Sequence, residues 1–128
     1  MKTKVCEVPE GEYVCEIIDM QATIDGKDRQ VVTWFMKVVG GQYNGHLIEK
    51  KYYVVSQKVA TLLKADLLMV GVDAPTALDF EANKQLAYGR RVKIGAKMNE
   101  EGYMTFCLKG IEHAVDLLMK GIASVRFW

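Results

Sequence analysis

No run in this chain is long and apolar enough to span a bilayer, and its opening residues do not read as a leader. Met1-Lys2-Thr3-Lys4-Val5-Cys6-Glu7 carries two lysines with no hydrophobic stretch behind them. These absences predict a cytoplasmic protein with no membrane partner. Cysteine is scarce: Cys6, Cys15 and Cys107 are odd in number and lack C-x-x-C spacing, which excludes a disulfide framework and predicts buried, reduced thiols. Neither sign of charge dominates, since 17 Lys and Arg face 16 Asp and Glu for a net charge of +1. Indiscriminate coating of duplex DNA is therefore excluded, and any nucleic-acid site must be a local patch.

Catalytic signatures are missing as well. His46 and His113 stand far apart with no ligand spacing around them. The Gly40-Gly41 pair has neither the Lys-Ser/Thr of a phosphate loop nor a helix directly after it. Asp73, Asp79 and Glu81 read as solvated loop carboxylates, and no nucleophile with a base and an orienting group can be assembled. The expectation is a protein that is not an enzyme and needs no metal or cofactor.

What the chain has is enough apolar material for one domain: half of its 128 residues are hydrophobic. Alternation predicts a first strand over residues 12–20, with Tyr13, Cys15 and Ile17 on one face and Val14, Glu16 and Ile18 on the other. Asp25-Gly26-Lys27-Asp28 supplies a turn in which Asp-Gly takes positive φ. The second strand, 30–39, sets Val32, Trp34, Met36 and Val38 toward the core and Val31, Thr33, Phe35 and Lys37 outward. In the third, 47–55, Ile48, Tyr52 and Val54 share a parity that Lys50 breaks.

Ser56 can cap a helix over 57–70 with apolar positions Val59, Leu62, Leu63 and Met69, and Gly71 can close it. Residues 72–85 read as an irregular connector. A fourth strand over 90–98 alternates Val92, Ile94, Ala96 and Met98 with Arg91, Lys93, Gly95 and Lys97. The turn Asn99-Glu100-Glu101-Gly102 leads to a fifth strand over 103–109, which carries Met104, Phe106 and Leu108 inward and ends at Gly110. A last helix is expected over 112–120. Three strands, a helix and two strands is the chain order of a mainly β, five-stranded OB-type barrel. One domain, 1–128, is expected, with its core in 9–109 and a C-terminal helix and tail in 110–128.

Three stretches in this order carry a resemblance: Gly11-x-Tyr13-x-Cys15-x-Ile17, Val38-Val39-Gly40-Gly41-Gln42-Tyr43-Asn44-Gly45, and Leu86-x-x-Gly89-Arg90-Arg91-Val92. Over residues 9–109 the chain resembles a bacteriophage and prophage family of small OB-fold single-stranded DNA-binding proteins. The resemblance implies coating of single-stranded DNA during phage replication, recombination or repair, in the cytoplasm of a bacterial host, beside replication or recombination proteins. Such proteins commonly end in an acidic tail, whereas this sequence ends Arg126-Phe127-Trp128, a terminal aromatic pair that can dock into a partner's pocket. The alternative is an OB-like protein-interaction module without DNA binding of its own. The apolar stripe of the last helix leaves a homodimer open.

Charge segregation is the clearest local signal. Lys84, Arg90, Arg91, Lys93 and Lys97 fall in a stretch without Asp or Glu, and period 2 puts Arg91, Lys93 and Lys97 on one side of their strand. Cations about 7 Å apart suit the phosphates of an extended single strand, and equally the solvated face of an edge strand. Bases need exposed aromatics for stacking. Phe35, sharing its parity with Lys37, and Tyr53, sharing its parity with Lys51, are the candidates, with Tyr103 beside Lys109 as a further one. Tyr43, in the glycine turn, either brackets a base or plugs the barrel end. Trp34, Phe106 and Tyr13 read as core.

Overall fold

The computed structural model describes residues 8–111. The expected C-terminal helix, the terminal Arg126, Phe127 and Trp128, and Cys6 and His113 lie outside the described residues. The fold is mainly β: strands β1 (Gly11–Ile24), β2 (Gln30–Val38), β3 (Leu47–Val54), β4 (Arg91–Met98) and β5 (Met104–Ile111) form one antiparallel sheet in the order β3-β2-β1-β4-β5. Helices α1 (Gln57–Met69) and α2 (Ala77–Asn83), with a 3-10 turn over Lys84–Ala87, connect β3 to β4.

Alternation places the core. Cys15, Ile17 and Met20 of β1, Val32, Trp34, Met36 and Val38 of β2, Ile48, Tyr52 and Val54 of β3, and Val92, Ile94 and Ala96 of β4 are all buried on one face. Met98, expected in that row, is exposed at the strand end. Cys15 is a buried thiol that burial pushes up to about 11, but Cys107, also expected to be buried, is exposed; both are free.

The expected closed barrel is not formed. β3 and β5 are the two edges of the sheet, and no backbone ladder joins them among the described residues. Lys50 occupies the inward row of β3 where an apolar residue would pack toward β5, and its ammonium donates to Phe106 O at 2.6 Å. A side chain, not a ladder, spans the seam.

Two strands run longer than alternation predicts. β1 reaches Ile24 because a bulge between Ile17 and Asp19 resets its parity, after which Met20 to Ile24 pair with Trp34 back to Gln30. The bulge is pinned by Tyr88, whose hydroxyl donates to Asp19 Oδ1 at 2.8 Å and accepts from Met20 N at 3.2 Å. β5 does not end at Gly110. The ladder shifts between Lys93 and Ile94, and Gly110, at φ 157°, takes up the irregularity so that Ile111 still meets Val92. In the turn after β1 the left-handed residue is Asp28 (φ 62°), not Gly26. There Asp25 Oδ1 accepts from the amides of Lys27 and Arg29, and Oδ2 binds the Arg29 guanidinium at 2.7 Å. These bonds hold the Asp25 carboxyl down at about 2.

The connector expected to be irregular contains α2. Thr76 caps it, accepting from Asp79 N at 3.1 Å and donating to Asp79 Oδ2 at 2.8 Å, a short-armed version of the capping box. α1 starts at the expected Ser56 cap and ends in a Schellman turn: Val72 N donates to Leu67 O and Gly71 N to Leu68 O, with Gly71 at φ 88°. Its buried face differs from the one expected. Ala60, Leu63, Lys64, Asp66 and Leu67 are buried, whereas Leu62 is 51% exposed. Asp66 on that face has a reason to be there: the Tyr52 hydroxyl of β3 donates to Asp66 Oδ2 at 2.6 Å, tying helix to sheet.

Burial raises the Asp66 pKa, and the Tyr52 hydrogen bond and the Lys50 charge only partly oppose that. Folded Asp66 therefore holds its proton to higher pH than unfolded Asp66 does. Its contribution to stability falls as pH rises from the ordinary carboxylate value through the raised folded one, then levels off. Asp66→Asn keeps an acceptor for Tyr52 and removes this titration. Urea unfolding between about pH 4 and about pH 7 should show the variant gaining on the natural protein as pH rises. A pH-independent offset between the two would contradict the assignment.

Candidate nucleic-acid interface

The sheet order decides which outward residues become neighbours. Along the outward face of β1, Glu16 stands between Lys37 of β2 and Arg91 of β4, and Asp19 stands opposite Phe35, whose other neighbour is Glu49 of β3. Phe35 is on the outward parity but half-buried, with a carboxylate on each side in register. Lys37 and Arg91 flank one shared carboxylate. This side of the sheet is a mixed-charge surface.

The other route from β4 to β3 passes through β5 and the seam. Lys97 pairs with Thr105, whose hydroxyl donates to Lys97 O at 2.9 Å, and Lys93 pairs with Gly110. Across the seam lies a groove of about 660 Å³, lined by Glu49, Lys50, Lys51 and Tyr53 of β3, by Met104, Thr105 and Phe106 of β5, and by Tyr103 of the turn before it. Tyr103 is 69% exposed and Tyr53 38%. Val31 and Thr33, which stand beside Tyr53 and Lys51 across the β2–β3 ladder, are buried, so these two groove residues are packed on their β2 side.

Both flanking turns are braced. The Arg29 guanidinium, held by Asp25, lies 4.6 Å from the Tyr53 ring centroid, which fixes one face of that ring and adds a cation at the end of the groove. At the other end Asn99 Oδ1 accepts from the amides of Glu101 and Tyr103, so the residue carrying the exposed ring has a fixed backbone. Lys50 lies deeper, its ammonium 4.6 Å from the centroid of the Tyr52 ring.

Of the residues singled out by sequence, Lys51, Tyr53 and Tyr103 line this groove, and Lys97 is one strand away with Lys93 beyond it. Arg90 is not in the row. Its Nε donates to Leu86 O at 3.4 Å and its guanidinium lies against Gly71, where even a methyl group would come within 3.1 Å of it. Tyr43 packs against the core, its ring edge-on to Tyr13 (6.1 Å) and His46 (5.5 Å), so it plugs the end of the sheet. Arg29, Lys50 and Thr105 escaped the sequence reading. Lys50 was visible as the break in the parity of β3; Arg29 carried only its position after the Asp-Gly turn, and Thr105 carried no signal.

Among the described residues no group of three or more His, Cys, Asp or Glu gathers to hold a metal ion. No described helix is long and apolar enough to cross a membrane. What the groove offers chemically is two exposed phenol rings, the ammonium groups of Lys50 and Lys51 and the carboxylate of Glu49, with the Arg29–Asp25 ion pair against the Tyr53 ring. No curated protein matches the chain. Residues 2–103 match the model of a family described as protein of unknown function, DUF669, and the chain belongs to that family.

Proposed function

We propose that this protein binds single-stranded DNA without sequence preference, through an OB-type fold left open at its seam, and serves phage replication, recombination or repair in the bacterial cytoplasm. The observation that carries the reading is the groove between β3 and β5, which exposed Tyr53 and Tyr103 line together with Lys51. Strands 2 and 3 and the turns after β1 and before β5 are where an OB fold takes its ligand, and Arg29 and Tyr103 stand at those two turns. Rings offer stacking to any base, which tolerates sequence, and the cations meet the phosphates. Lys97 and Lys93 extend the path over β5 to β4, while the acids of β1 close off the opposite side. Phe35, Lys37, Arg90, Arg91 and Tyr43 then lie outside the path.

A second reading has one observation in its favour. The edges of β3 and β5, unpaired among the described residues, can accept an extended peptide by strand addition, as a protein-interaction module would. Such binding depends on backbone hydrogen bonds and responds weakly to salt.

Two measurements separate these readings. Tyr53→Ala and Tyr103→Ala should each weaken binding to poly-dT by about 1–3 kcal/mol, read by polarisation of a labelled oligonucleotide, with the larger part of the folding stability kept because both rings reach solvent. Loss of neither affinity nor salt dependence would remove the stacking role. Independently, Lys93→Glu with Lys97→Glu should flatten the salt dependence by about 0.7 per lost phosphate contact on a log-log plot. Arg91→Glu, beside Glu16 on the far side of β1, should leave that slope unchanged, and equal effects from the two sets would mean the strand crosses β1 instead.

A further inference from the structure

Lys50 is a charged residue in a row otherwise given to the core. Its neighbours along the inward face of β3 are Ile48 and Tyr52, both buried, and Lys50 itself is half-buried and lines the groove. The ammonium is held from two sides. The Tyr52 ring lies beneath it at 4.6 Å and is itself held by the bond from its hydroxyl to Asp66 of α1, and Phe106 O of β5 accepts from it at 2.6 Å. Asp66 of α1 and Cys107 of β5 are the titratable groups that act on its charge.

We propose that Lys50 is the anchor for one backbone phosphate of the bound strand, its ammonium passing from the Phe106 carbonyl to that phosphate on binding. The proposal rests on the single-strand reading of the groove and adds to it the residue that reads the backbone most strongly. An ammonium has three donors, and a neutral carbonyl is a weaker acceptor than a phosphate oxygen, so the exchange favours the anion. Lys50 is half-buried where Lys51 is exposed, so its attraction to a phosphate is less screened by water and salt. Burial lowers its pKa and the charge of Asp66 offsets that only in part, so a bound phosphate adds compensation. Because Phe106 O gives up its donor in the exchange, occupation of the groove also unfastens the side chain that spans the seam. Strand binding and the spacing of β3 from β5 are thereby coupled.

The test compares Lys50→Gln, which keeps a neutral donor for Phe106 O, with Lys50→Arg, which keeps the charge, and with Lys51→Gln. Binding of labelled poly-dT is followed across a potassium chloride series, and folding of each variant by urea unfolding. Lys50→Gln should weaken binding by about tenfold to a hundredfold, the worth of a hydrogen bond to a charged group. It should also lower the log-log salt slope by about 0.7, one phosphate contact on a single strand. Lys50→Arg should restore the slope, and Lys51→Gln should cost less affinity than Lys50→Gln. An unchanged slope in folded Lys50→Gln, with only its unfolding midpoint reduced, overturns the proposal and leaves Lys50 a seam clasp. Should Lys50→Gln fail to fold, acetylation footprinting of the natural protein decides: poly-dT must protect Lys50, and equal labelling with and without it overturns the proposal. Natural protein that binds poly-dT through Tyr53 and Tyr103 with no effect at Lys50 removes this inference alone. No binding by the natural protein removes the single-strand reading and this inference with it.

Discussion

An ammonium group in the inward row of β3 sets how the two edges of this sheet meet. A charge cannot be packed against an apolar strand without a partner, and the cost of leaving it bare in the interior runs to several kcal/mol. Lys50 meets that demand with the Phe106 carbonyl, the face of the Tyr52 ring and the charge of Asp66. With Lys50 between them, β3 and β5 are spanned by a side chain and stand apart as a groove. The hydrogen bond from Tyr52 to Asp66 carries the same constraint into α1, so helix, sheet and seam are joined by one polar chain running from Asp66 through Tyr52 and Lys50 to Phe106. That such a chain runs from the buried Asp66 and Tyr52 to the half-buried Lys50 at the groove makes its geometry demanding, because each member is costly to bury if its neighbour moves.

Strand order then sorts the surface. Consecutive strands β1, β2 and β3 lie side by side, β4 joins β1 on its free flank, and β5 follows β4. Glu12, Glu16 and Asp19 all belong to β1, which stands between β2 and β4, so a chain of phosphates crossing from β4 to β2 would pass over carboxylates. Lys109 of β5 reaches toward Glu12, with Nζ to Oε2 at 4.0 Å, lying over Gly95 as it does so. The side of the sheet around β5 and the seam is where lysines and exposed tyrosines gather instead. The proposed path for a single strand follows from this sorting, more than from the number of positive residues.

Much of this was written in the alternation. The inward rows of β2 and β4, the helix after Ser56 and the turns at Gly40-Gly41 and Glu101-Gly102 follow from period, caps and turn residues that act over a few positions. What escaped depends on groups distant in sequence. The bulge at Ile18 is held by Tyr88, 69 residues from its acceptor Asp19. The acids flanking Phe35 are opposite it only once β1 and β3 are paired on either side. Arg29 counts because Tyr53 lies under it, and Arg90, from the same basic stretch as the row, lies against Gly71 instead. α2 was missed for a local reason, since Thr76 with Asp79 in place of Glu is a weaker form of the capping signal. Lys50 is the instructive case: its departure from parity was plain, but that it bridges to β5 could be seen only with both edges in place.

The central claim is that the ligand path lies along the β3–β5 seam and not across β1. Nitrogen-15 chemical-shift mapping of the natural protein during a poly-dT titration tests it directly. The account predicts the largest shifts in the amides of Lys50 to Tyr53 and Tyr103 to Phe106, with the Arg29 side chain among them, and small shifts at Glu16, Asp19 and Phe35. Shifts centred on Glu16, Phe35 and Arg91, with the seam undisturbed, would contradict it.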